Sequence, residues 1–392
     1  MPKISILTAG KDPHYALGLL EGLVSKPLQI EFLANDEMQF SPVARSANVS
    51  YLNLRGDQSV NAPLRQKVFR IVRYYLALLR YAATTDSRLF HILWFNKFEW
   101  FDNSLLILFY RLLGKRLVYT AHNINMRERD NRSGFLDRFF LKCLYRQVDH
   151  ILVHNDQMKS QTVGGYSVNP GKITVVPFGV NNVIPRSELT RSKARGLLGI
   201  DRDQKTLLFF GNIAPYKGLD LLIEALDYLP ECRLLIVGGV KSCNDYWKDL
   251  EGSITLSGLN GRIHKRIDYV PDEEVEIYFK ASDLLVLPYK KIYQSGVIFL
   301  SYSFGVPVVA TDVGALAESV VEGVTGYVSA ADDPRDLASK IGLFFQSKMY
   351  RDPDASRRTI IEYVNEKHSW NRVSDVIYRI YSTVGRWDCL EN

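Results

Sequence analysis

Leu207–Asp220 reads LLFFGNIAPYKGLD: an apolar run that predicts a buried strand, then a glycine turn, a lysine and the start of a helix expected over Leu221–Leu229. A glycine after a strand lets backbone N–H groups approach an anion closely. Lys217 adds a positive charge where the helix dipole already favours phosphate. An ordinary strand-to-helix turn with a surface lysine would have the same sequence. The stretch therefore predicts an α/β unit and, together with other motifs, an anion site.

Strand-like apolar runs alternate with helix-length segments along the whole chain, as they do in parallel α/β sheets. Pro, Gly and Asn interrupt the alternation near residues 178–186, so we place a linker there. The predicted strands are Ile4–Thr8, Ile30–Leu33, Leu89–Trp94, Arg116–Thr120, His150–Val153 and Ile173–Val176 before the linker, and Thr206–Phe210, Arg233–Val237, Leu284–Leu287 and Val306–Ala310 after it.

The chain has 392 residues, about twice the length of a typical domain. We therefore predict two Rossmann-like α/β domains facing each other across a cleft. The first covers residues 1–180 and is completed by a C-terminal helix over 371–392, and the second covers 186–370. With 46% hydrophobic and 23% charged residues, the composition is that of a globular protein.

The sequence predicts no metal site, disulfide framework or membrane span. The four cysteines have no C-x-x-C spacing and no nearby histidine partner, which fits a reducing compartment. The first apolar run is too short for a signal peptide, and no stretch approaches the roughly 20 apolar residues that span a bilayer. We expect a cytoplasmic protein with no metal or other cofactor and no nucleic-acid partner.

Positive charge is concentrated before residue 180, where 23 Lys and Arg stand against 14 Asp and Glu. Much of it lies between Arg65 and Arg80, in a helix-like stretch in which basic residues alternate with aromatic and aliphatic ones. Such a stretch suits an anionic membrane surface or an anionic acceptor. It equally suits a solvated helix face whose apolar stripe packs inward. Amphipathicity alone does not distinguish these interpretations.

A second glycine-bearing helix start follows the predicted strand Leu284–Leu287. Pro288–Val297 contains the sequence Gln294-Ser295-Gly296-Val297 and opens a helix that runs to Phe304. The first amides of a helix have no partner within the helix and can donate to a pyrophosphate. Together with Lys217, this helix start would hold the leaving group of a nucleotide sugar.

These segments, with their neighbours, resemble group-1 (family 4) glycosyltransferases of the GT-B fold. The order of the motifs carries the resemblance over Gly211–Gly326, and the first half is similar more loosely through Tyr119–Asn123 and Val176–Gly179. The motifs after the linker are Gly211–Asp220, Tyr269–Glu274, Ala281–Pro288, Gly305–Thr311, Glu318 and Glu322–Gly326.

The resemblance implies a role for particular residues. Lys217 would bind the donor diphosphate, which the backbone of Ser295, Gly296 and Val297 would cradle. His122 would contact the donor sugar. The other implied donor-binding positions are Gly10 in the loop after the first strand, Gly211, Asn212, Gln294, and Tyr269 with Val270 at the nucleotide base.

The sequence departs from the family pattern in two respects. The family usually carries two glutamates eight residues apart around the second glycine loop, and Ile292 and Leu300 stand there instead. An arginine usually accompanies the lysine, but Asn212 and Ala214 occupy the nearby positions. A Gln-Ser-Gly-Val loop occurs in bacterial polysaccharide members, so we interpret the departure as the mark of a subfamily.

The sequence offers several other candidate residues. The resemblance implies that Lys11 and Asp12 lie in the loop that faces donor and acceptor. His14 could act as a base on the acceptor hydroxyl, although a histidine opening a helix is also common at a solvated end. His91 and Trp94 would line an acceptor cleft or simply pack in the core. Asp201-Arg202-Asp203 has the D-x-D pattern of metal-dependent transferases but lies in a polar stretch that we interpret as surface.

The resemblance implies a metal-independent hexosyltransferase. It would move a sugar from a UDP- or GDP-linked donor to a hydroxyl of a glycan or lipid-linked oligosaccharide, with retention, in surface polysaccharide synthesis. The missing glutamates leave open a nucleotide-sugar-binding subunit that supports a partner enzyme. A dinucleotide oxidoreductase is rejected, because the first strand is followed by Gly10 alone and not by G-x-G-x-x-G.

Overall fold

The computed structural model describes residues 1–59, 62–96, 98–125, 134–180, 184–240 and 244–387. The chain forms two compact units. Unit 1 is Met1–Gly179 together with the segment from His368 onward, and unit 2 is Val180–Lys367. Each unit contains a parallel sheet with helices on its faces, so the predicted α/β class with two parallel-sheet domains is confirmed.

In unit 1 the described residues form a seven-stranded sheet in the order β3-β2-β1-β4-β5-β6-β7. The order reverses between β1 and β4, which pair in parallel through Ile4–Leu89 to Leu7–Ile92. The strands are β1 Lys3–Leu7, β2 Gln29–Ala34, β3 Val49–Asn53, β4 Leu89–Ile92, β5 Arg116–Thr120, β6 His150–Val153 and β7 Ile173–Val175.

The helices of unit 1 cover this sheet. A π-helical turn, Asp102–Leu106, joins the short α-helices Glu99–Phe101 and Ile107–Leu112 into one continuous helix. The α-helices are α1 Pro13–Val24, α2 Leu64–Thr84, α3 Glu99–Phe101, α4 Ile107–Leu112, α5 Phe135–Gln147 and α6 Asp156–Tyr166, and the chain returns to this unit with the last helix, Trp370–Gly385.

In unit 2 the described residues form a six-stranded parallel sheet in the order β10-β9-β8-β11-β12-β13. The strands are β8 Lys205–Phe210, β9 Cys232–Val237, β10 Ile263–Arg266, β11 Leu284–Leu287, β12 Val308–Thr311 and β13 Gly326–Ser329. The helices are α7 Arg191–Leu197, α8 Leu219–Ala225, α9 Asn244–Leu256, α10 Asp272–Ala281, α11 Gly296–Ser303, α12 Pro334–Gln346, α13 Lys348–Arg351 and α14 Pro353–His368; α15 is the last helix of unit 1, Trp370–Gly385.

All the strands that the sequence predicts are present, with ends shifted by up to two residues. β4 ends at Ile92 and not at Trp94, and β12 begins at Val308 and not at Val306. Three strands were missed, namely β3, β10 and β13. Each lies at an edge of its sheet. Edge strands are covered on fewer sides, so they lack the continuous apolar run that marks a central parallel strand.

The last helix, α15, packs along α1 in unit 1. Trp370 is buried, and a β-carbon placed on Gly18 would lie 2.2 Å from its indole ring. Tyr381 of α15 bonds through its hydroxyl to His91 Nδ1 in β4 at 2.6 Å. The helix predicted over 371–392 thus begins one residue earlier and ends at Gly385, and residues 388–392 lie outside the described part of the chain.

No helix formed by the described residues is both long enough and apolar enough to cross a bilayer.

We predict that Gly18→Ala destabilises unit 1 by about 1–3 kcal/mol, because the added methyl group overlaps the buried indole of Trp370. Gly164→Ala is the matched control. Gly164 lies in α6, where an added β-carbon meets nothing within 4 Å, so alanine should stabilise the helix by up to about 1 kcal/mol. Thermal unfolding checks both variants, and equal shifts in Tm would contradict the prediction.

Candidate active site

The candidate site of unit 2 lies where its strand order reverses, between β8 and β11. In parallel sheets this switch point opens a crevice at the carboxyl ends of the strands, and ligands bind there. The loop 211–218 follows β8 and the loop 288–295 follows β11. These are the two loops that the sequence singles out.

Lys217 lies in the first loop, in a short 3-10 turn, with only 8% of its surface exposed. Its Nζ is 2.5 Å from the hydroxyl of Tyr289 and 4.1 Å from the centre of that ring. Tyr289 itself is fully buried, and burial raises the pKa of its hydroxyl above the usual value. The phenol therefore stays protonated and orients the ammonium group without neutralising it.

Main-chain contacts join the two loops on either side of Lys217. The amide of Lys290 donates to the carbonyl of Tyr216 at 2.9 Å. Gly218 has a φ of 65°, and a β-carbon there would lie 1.8 Å from the carbonyl oxygen of Pro288. Only glycine suits both the left-handed backbone and this close approach. The position of Lys217 is thus fixed by backbone packing as well as by Tyr289.

The Gln-Ser-Gly-Val segment forms the start of α11, as predicted, and faces Gly211. A β-carbon on Gly211 would lie 3.6 Å from the Val297 side chain. The Ser295 side chain does not cap the helix; its Oγ lies 3.4 Å from the Tyr289 hydroxyl. Gln294 Oε1 is buried and has no hydrogen-bond partner among the described residues. A buried amide oxygen without a partner in the protein requires an explanation, and a bound group at this loop would supply one.

Tyr269 and Val270 follow β10 along the same edge of the sheet. The Tyr269 side chain is 71% exposed, whereas Val270 is buried. A β-carbon on Gly239, after β9, would lie 3.8 Å from the Tyr269 amide nitrogen. The segment thus continues the row of loops that contains Gly211, while Asn212 is exposed.

Ile292 and Leu300, at the family's two glutamate positions, are buried at 9% and 6% exposure. A β-carbon on Gly314 would lie 2.0 Å from the Ile292 carbonyl oxygen, so close packing surrounds that position. Buried apolar side chains thus occupy both positions. Gln294 and Ser295 remain as polar groups of the loop.

In unit 1 the carboxyl edge of the sheet carries His122, which follows β5, and His154, which follows β6. His154 Nδ1 lies 3.3 Å from the Val176 carbonyl, and its Nε2 lies 3.2 Å from His122 Nδ1. Burial lowers the pKa of His154 to about 4 and that of His122 well below its usual value. Both imidazoles are therefore neutral near pH 7.

The hydrogen bonds of this pair decide which nitrogens carry protons. A carbonyl can only accept, so His154 Nδ1 holds the proton and its Nε2 is an acceptor. His122 Nδ1 must then donate to it, which leaves His122 Nε2 as a bare acceptor. That atom is buried and has no hydrogen-bond partner in the described ranges. His122 can accept a hydrogen bond from a hydroxyl group but cannot act as an acid.

Aromatic rings hold His122 in place. The Trp94 ring stacks on it with centroids 4.2 Å apart and planes 4° from parallel. Tyr15 meets it edge-on at 4.5 Å. His91, which the sequence offers as a possible cleft residue, is instead fully buried between Tyr381 and Thr120. His91 therefore belongs to the core, and of that predicted pair Trp94 alone contacts the candidate site.

The loop after β1 has an unusual backbone. Ala9 and Asp12 have positive φ values of 52° and 42°, and Gly10 has 68°. The Asp12 carboxylate caps α1 by accepting from the Tyr15 amide at 3.1 Å, and Lys11 Nζ lies 3.5 Å from the Asn96 carbonyl. His14 is partly buried in the first turn of α1. Non-glycine residues in this backbone region often mark functional loops.

The D-x-D pattern at Asp201 and Asp203 lies on the surface of unit 2. Asp201 and Asp203 are exposed in the turn before β8, where the Asp201 carbonyl accepts from the buried Arg195 side chain at 2.9 Å. Within the described ranges, no three His, Cys, Asp or Glu side chains come together as a metal site. Metal-independent chemistry stays a prediction.

Sequence reasoning missed Tyr289, His154 and the glycines after β9. The pair Gly238-Gly239 directly follows a predicted strand, and glycines at that place in the sequence could have identified it as part of the site. His154 likewise follows a strand, but its pairing with His122 depends on β5 and β6 being neighbours. Tyr289 gives no signal, since a tyrosine after a buried strand is indistinguishable from a core residue in the sequence.

Two parallel-sheet α/β domains, with a buried lysine at the switch point of the second, define a protein of the GT-B fold class. Residues 14–182 match the family model described as Glycosyltransferase Family 4, and residues 204–346 match the one described as Glycosyl transferases group 1. These two matches together cover about four fifths of the chain. Each half of the chain thus matches a glycosyltransferase family model.

The chain is also similar to curated proteins that are named glycosyltransferases. The D-inositol 3-phosphate glycosyltransferase of Mycobacterium sp. (strain KMS) is 29% identical over 256 residues, which are 63% of this chain and 56% of that protein. The chain thus spans little more than half the length of this curated relative.

Several solved structures share the fold. Sucrose-phosphate synthase from Thermosynechococcus elongatus has a TM-score of 0.76 at 18% identity, over 98% of this chain and 100% of that one. HepE from Anabaena, in complex with UDP-glucose, has a TM-score of 0.74 at 18% identity with the same coverage.

We predict that acid weakens the fold through its buried neutral histidines. Burial lowers the pKa of His91 to about 3, whereas an unfolded histidine titrates near 6.5. Below pH 6.5 the unfolded chain binds a proton that the folded chain does not, so stability falls as the pH falls. Between pH 7.5 and 5.0 this contributes a loss of about 2 kcal/mol.

His91→Gln removes that contribution, so the variant should lose about 2 kcal/mol less than the wild type over the same pH interval. Urea unfolding at both pH values, followed by tryptophan fluorescence, measures the difference. All other titrating groups are common to the two chains and cancel. Equal losses in the two proteins would show that His91 does not resist protonation.

Proposed function

We propose that this protein transfers a sugar from a nucleoside-diphosphate sugar to a hydroxyl group of an acceptor. The observation that carries the proposal is the buried Lys217 held against Tyr289 at the switch point of unit 2. A fixed ammonium beside a helix start is suited to a departing diphosphate, whose charge develops as the glycosidic bond breaks. The matches of both halves of the chain to glycosyltransferase family models support the same reaction.

UDP is the first nucleotide to test, ahead of GDP, because HepE, which shares the fold, is described in complex with UDP-glucose. We further propose that Tyr269 and Val270 lie at the base and that Gln294 to Val297 hold the diphosphate and neighbouring hydroxyls. His122, with its bare Nε2 acceptor, would accept a hydrogen bond from the donor sugar. Lys217 and helix amides would supply the positive charge, so no metal ion would be required.

The acceptor is proposed to be a glycan or a lipid-linked oligosaccharide in surface polysaccharide synthesis. Transfer with retention follows the family's usual outcome. In such a reaction the acceptor attacks the face from which the diphosphate leaves, so positioning of the two substrates matters more than a protein nucleophile. Lys11, Asp12 and His14, in and beside the loop after β1, are the proposed acceptor-side residues.

A second candidate is a nucleotide-sugar-binding subunit that transfers nothing. The observation that favours it is the apolar burial of Ile292 and Leu300, where the family usually places carboxylates. Incubation with UDP-glucose separates the two functions. Slow release of glucose that disappears in Lys217→Ala supports the enzyme, whereas tight binding with no release supports the subunit.

Lys217→Ala should weaken UDP binding about 10- to 100-fold, the range expected for losing a charged hydrogen bond of about 1.5–3 kcal/mol. Tyr289→Phe, which removes the hydroxyl that orients the ammonium, should have a smaller effect in the same direction. Lys193→Ala, at an exposed position in α7, is the control and should bind UDP as the wild type does. Calorimetric titration checks all three.

Unchanged UDP affinity in Lys217→Ala would remove the phosphate assignment. Loss of sugar transfer with intact nucleotide affinity would also count against it, because the lysine is proposed to act on the diphosphate.

We also propose that unit 1 binds an anionic membrane surface through α2, at the inner face of the membrane. Leu64, Val68, Val72 and Leu76 recur every four residues and therefore share one face of the helix. All four are more than half exposed. The buried residues of α2 are others, including Tyr74 and Leu78. The apolar stripe of α2 thus does not pack inward.

The charge of α2 supports the same proposal. The helix contains five basic residues and no acidic one. Apolar side chains beside basic ones are the pattern of helices that lie in the interface of an anionic bilayer. Each Lys or Arg near such a surface contributes about 1 kcal/mol of attraction.

The double variant Val68→Ser/Val72→Ser should reduce binding to vesicles of phosphatidylcholine with one third phosphatidylglycerol about tenfold or more, since each valine would otherwise bury apolar surface. Added salt should reduce the binding of the wild type, because the electrostatic part is screened. Leu256→Ser, at a 91% exposed position in unit 2, is the control. Cosedimentation measures the effects; binding that neither the double variant nor salt reduces would refute the proposal.

A further inference from the structure

Unit 1 contains a cationic cavity that the proposed donor site does not use. Its volume is about 240 Å³, and it lies between the segment after β3 and the first two turns of α2. Its polar lining consists of Arg55, Asp57, Gln58, Ser59, Lys67 and Arg70. Three cationic side chains thus face one anionic side chain.

The cavity lies at the carboxyl edge of the unit 1 sheet, where ligands bind in folds of this kind. The Arg55 amide donates to the carbonyl of Ala34, the last residue of β2, at 3.2 Å. A β-carbon on Gly10, in the loop after β1, would lie 3.2 Å from Arg55 Cγ. The cavity is therefore next to the loop that the family resemblance places near the reacting sugars.

Two of the three cations keep their charge uncompensated. Arg70 pairs with Asp57 at 2.7 Å, and the other carboxylate oxygen of Asp57 accepts from the Ser59 amide at 2.6 Å. Arg55 lies over the Tyr74 ring at 4.7 Å, and its buried Nε has no hydrogen-bond partner among the described residues. Lys67 forms no ion pair with any of those residues. The arrangement leaves room for an anion with about two negative charges.

We propose that this cavity binds a phosphate group of the acceptor, which would make the acceptor a phosphorylated or diphosphate-linked molecule. Guanidinium and ammonium donors match phosphate oxygens, and the fixed Arg55 loses little freedom on binding. The cavity is smaller than the roughly 300–1,000 Å³ of sites that enclose a drug-sized ligand. It therefore suits a headgroup and not a whole acceptor. The identification of the bound molecule as the acceptor rests on the proposed function, whereas the anion site itself does not.

The test is calorimetric titration of inorganic pyrophosphate into the full chain held with saturating UDP, so that the donor site is occupied. Lys67→Gln and Arg55→Gln should each weaken pyrophosphate binding at least tenfold. Arg80→Gln, an exposed position in the same helix, is the matched control and should stay within twofold of the wild type. Lys67→Gln should leave UDP affinity unchanged.

Absence of saturable pyrophosphate binding in the presence of UDP overturns the proposal. An equal loss in Arg80→Gln also overturns it, because the binding would then be general surface attraction. Arg55 packs on Tyr74, so Arg55→Gln requires a check of its Tm; Lys67→Gln tests the site without disturbing that packing. A failure of the donor assignment appears separately, as unchanged UDP affinity in Lys217→Ala.

The phosphate could belong to a soluble sugar phosphate or to a lipid diphosphate. Farnesyl diphosphate, which is water-soluble, distinguishes these sources. Binding that is tighter than that of pyrophosphate and lost in Lys67→Gln supports the site and assigns a lipid acceptor. Equal binding of the two probes, both lost in Lys67→Gln, supports the site and assigns a soluble one.

Discussion

The contact between the Lys217 ammonium and the Tyr289 phenol is the interaction on which the arrangement of unit 2's site depends. It joins the loops that follow β8 and β11, the two strands on either side of the switch point. A buried ammonium loses hydration, and a neutral hydroxyl with an aromatic face restores part of that stabilisation. Because Tyr289 stays protonated, the positive charge persists. The loops thus present a fixed cation at the carboxyl edge of the sheet.

Unit 1 provides a hydrogen-bond acceptor, His122, which buried neighbours hold in place as Tyr289 holds Lys217. The Val176 carbonyl fixes the proton of His154, and His154 in turn fixes that of His122. Burial keeps both rings neutral, and stacking on Trp94 fixes the plane of His122. An imidazole held in this way offers a single acceptor atom. Because the buried rings resist protonation, this arrangement lowers the stability of the fold in acid. In return, the hydrogen-bonding role of His122 does not change near neutral pH.

Much of the fold follows from the sequence because central parallel strands are buried on both faces. β5, β6 and β11 have the bounds that their apolar runs predict. The edge strand β10, with the sequence IHKR, contains one apolar residue in four and gives no such run. Apolar patterns in the sequence indicate buried strands, so a strand that is only half covered is not predicted from them.

The candidate site could be predicted less completely, for a related reason. Lys217 and Gln294 to Val297 were found because glycine and charge near a strand end are visible locally. Tyr289 and His154 position other groups only through contacts that the strand order creates, and these contacts are not visible in the local sequence. Local sequence thus indicates the groups that meet a ligand, whereas the groups that position them resemble the core.

The same distinction explains the charge of the first half of the chain. Arg111 and Arg116 pair with Asp149, and Lys115 is buried against backbone carbonyls. These cations serve the fold. In α2, by contrast, Arg65, Arg73 and Arg80 form no ion pair with the described residues, and they accompany apolar side chains that stay exposed. A helix that only covered a sheet would need neither feature on its outer face. Unpaired positive charge and uncovered apolar area therefore coincide on one helix, which is the combination that the proposed membrane binding needs.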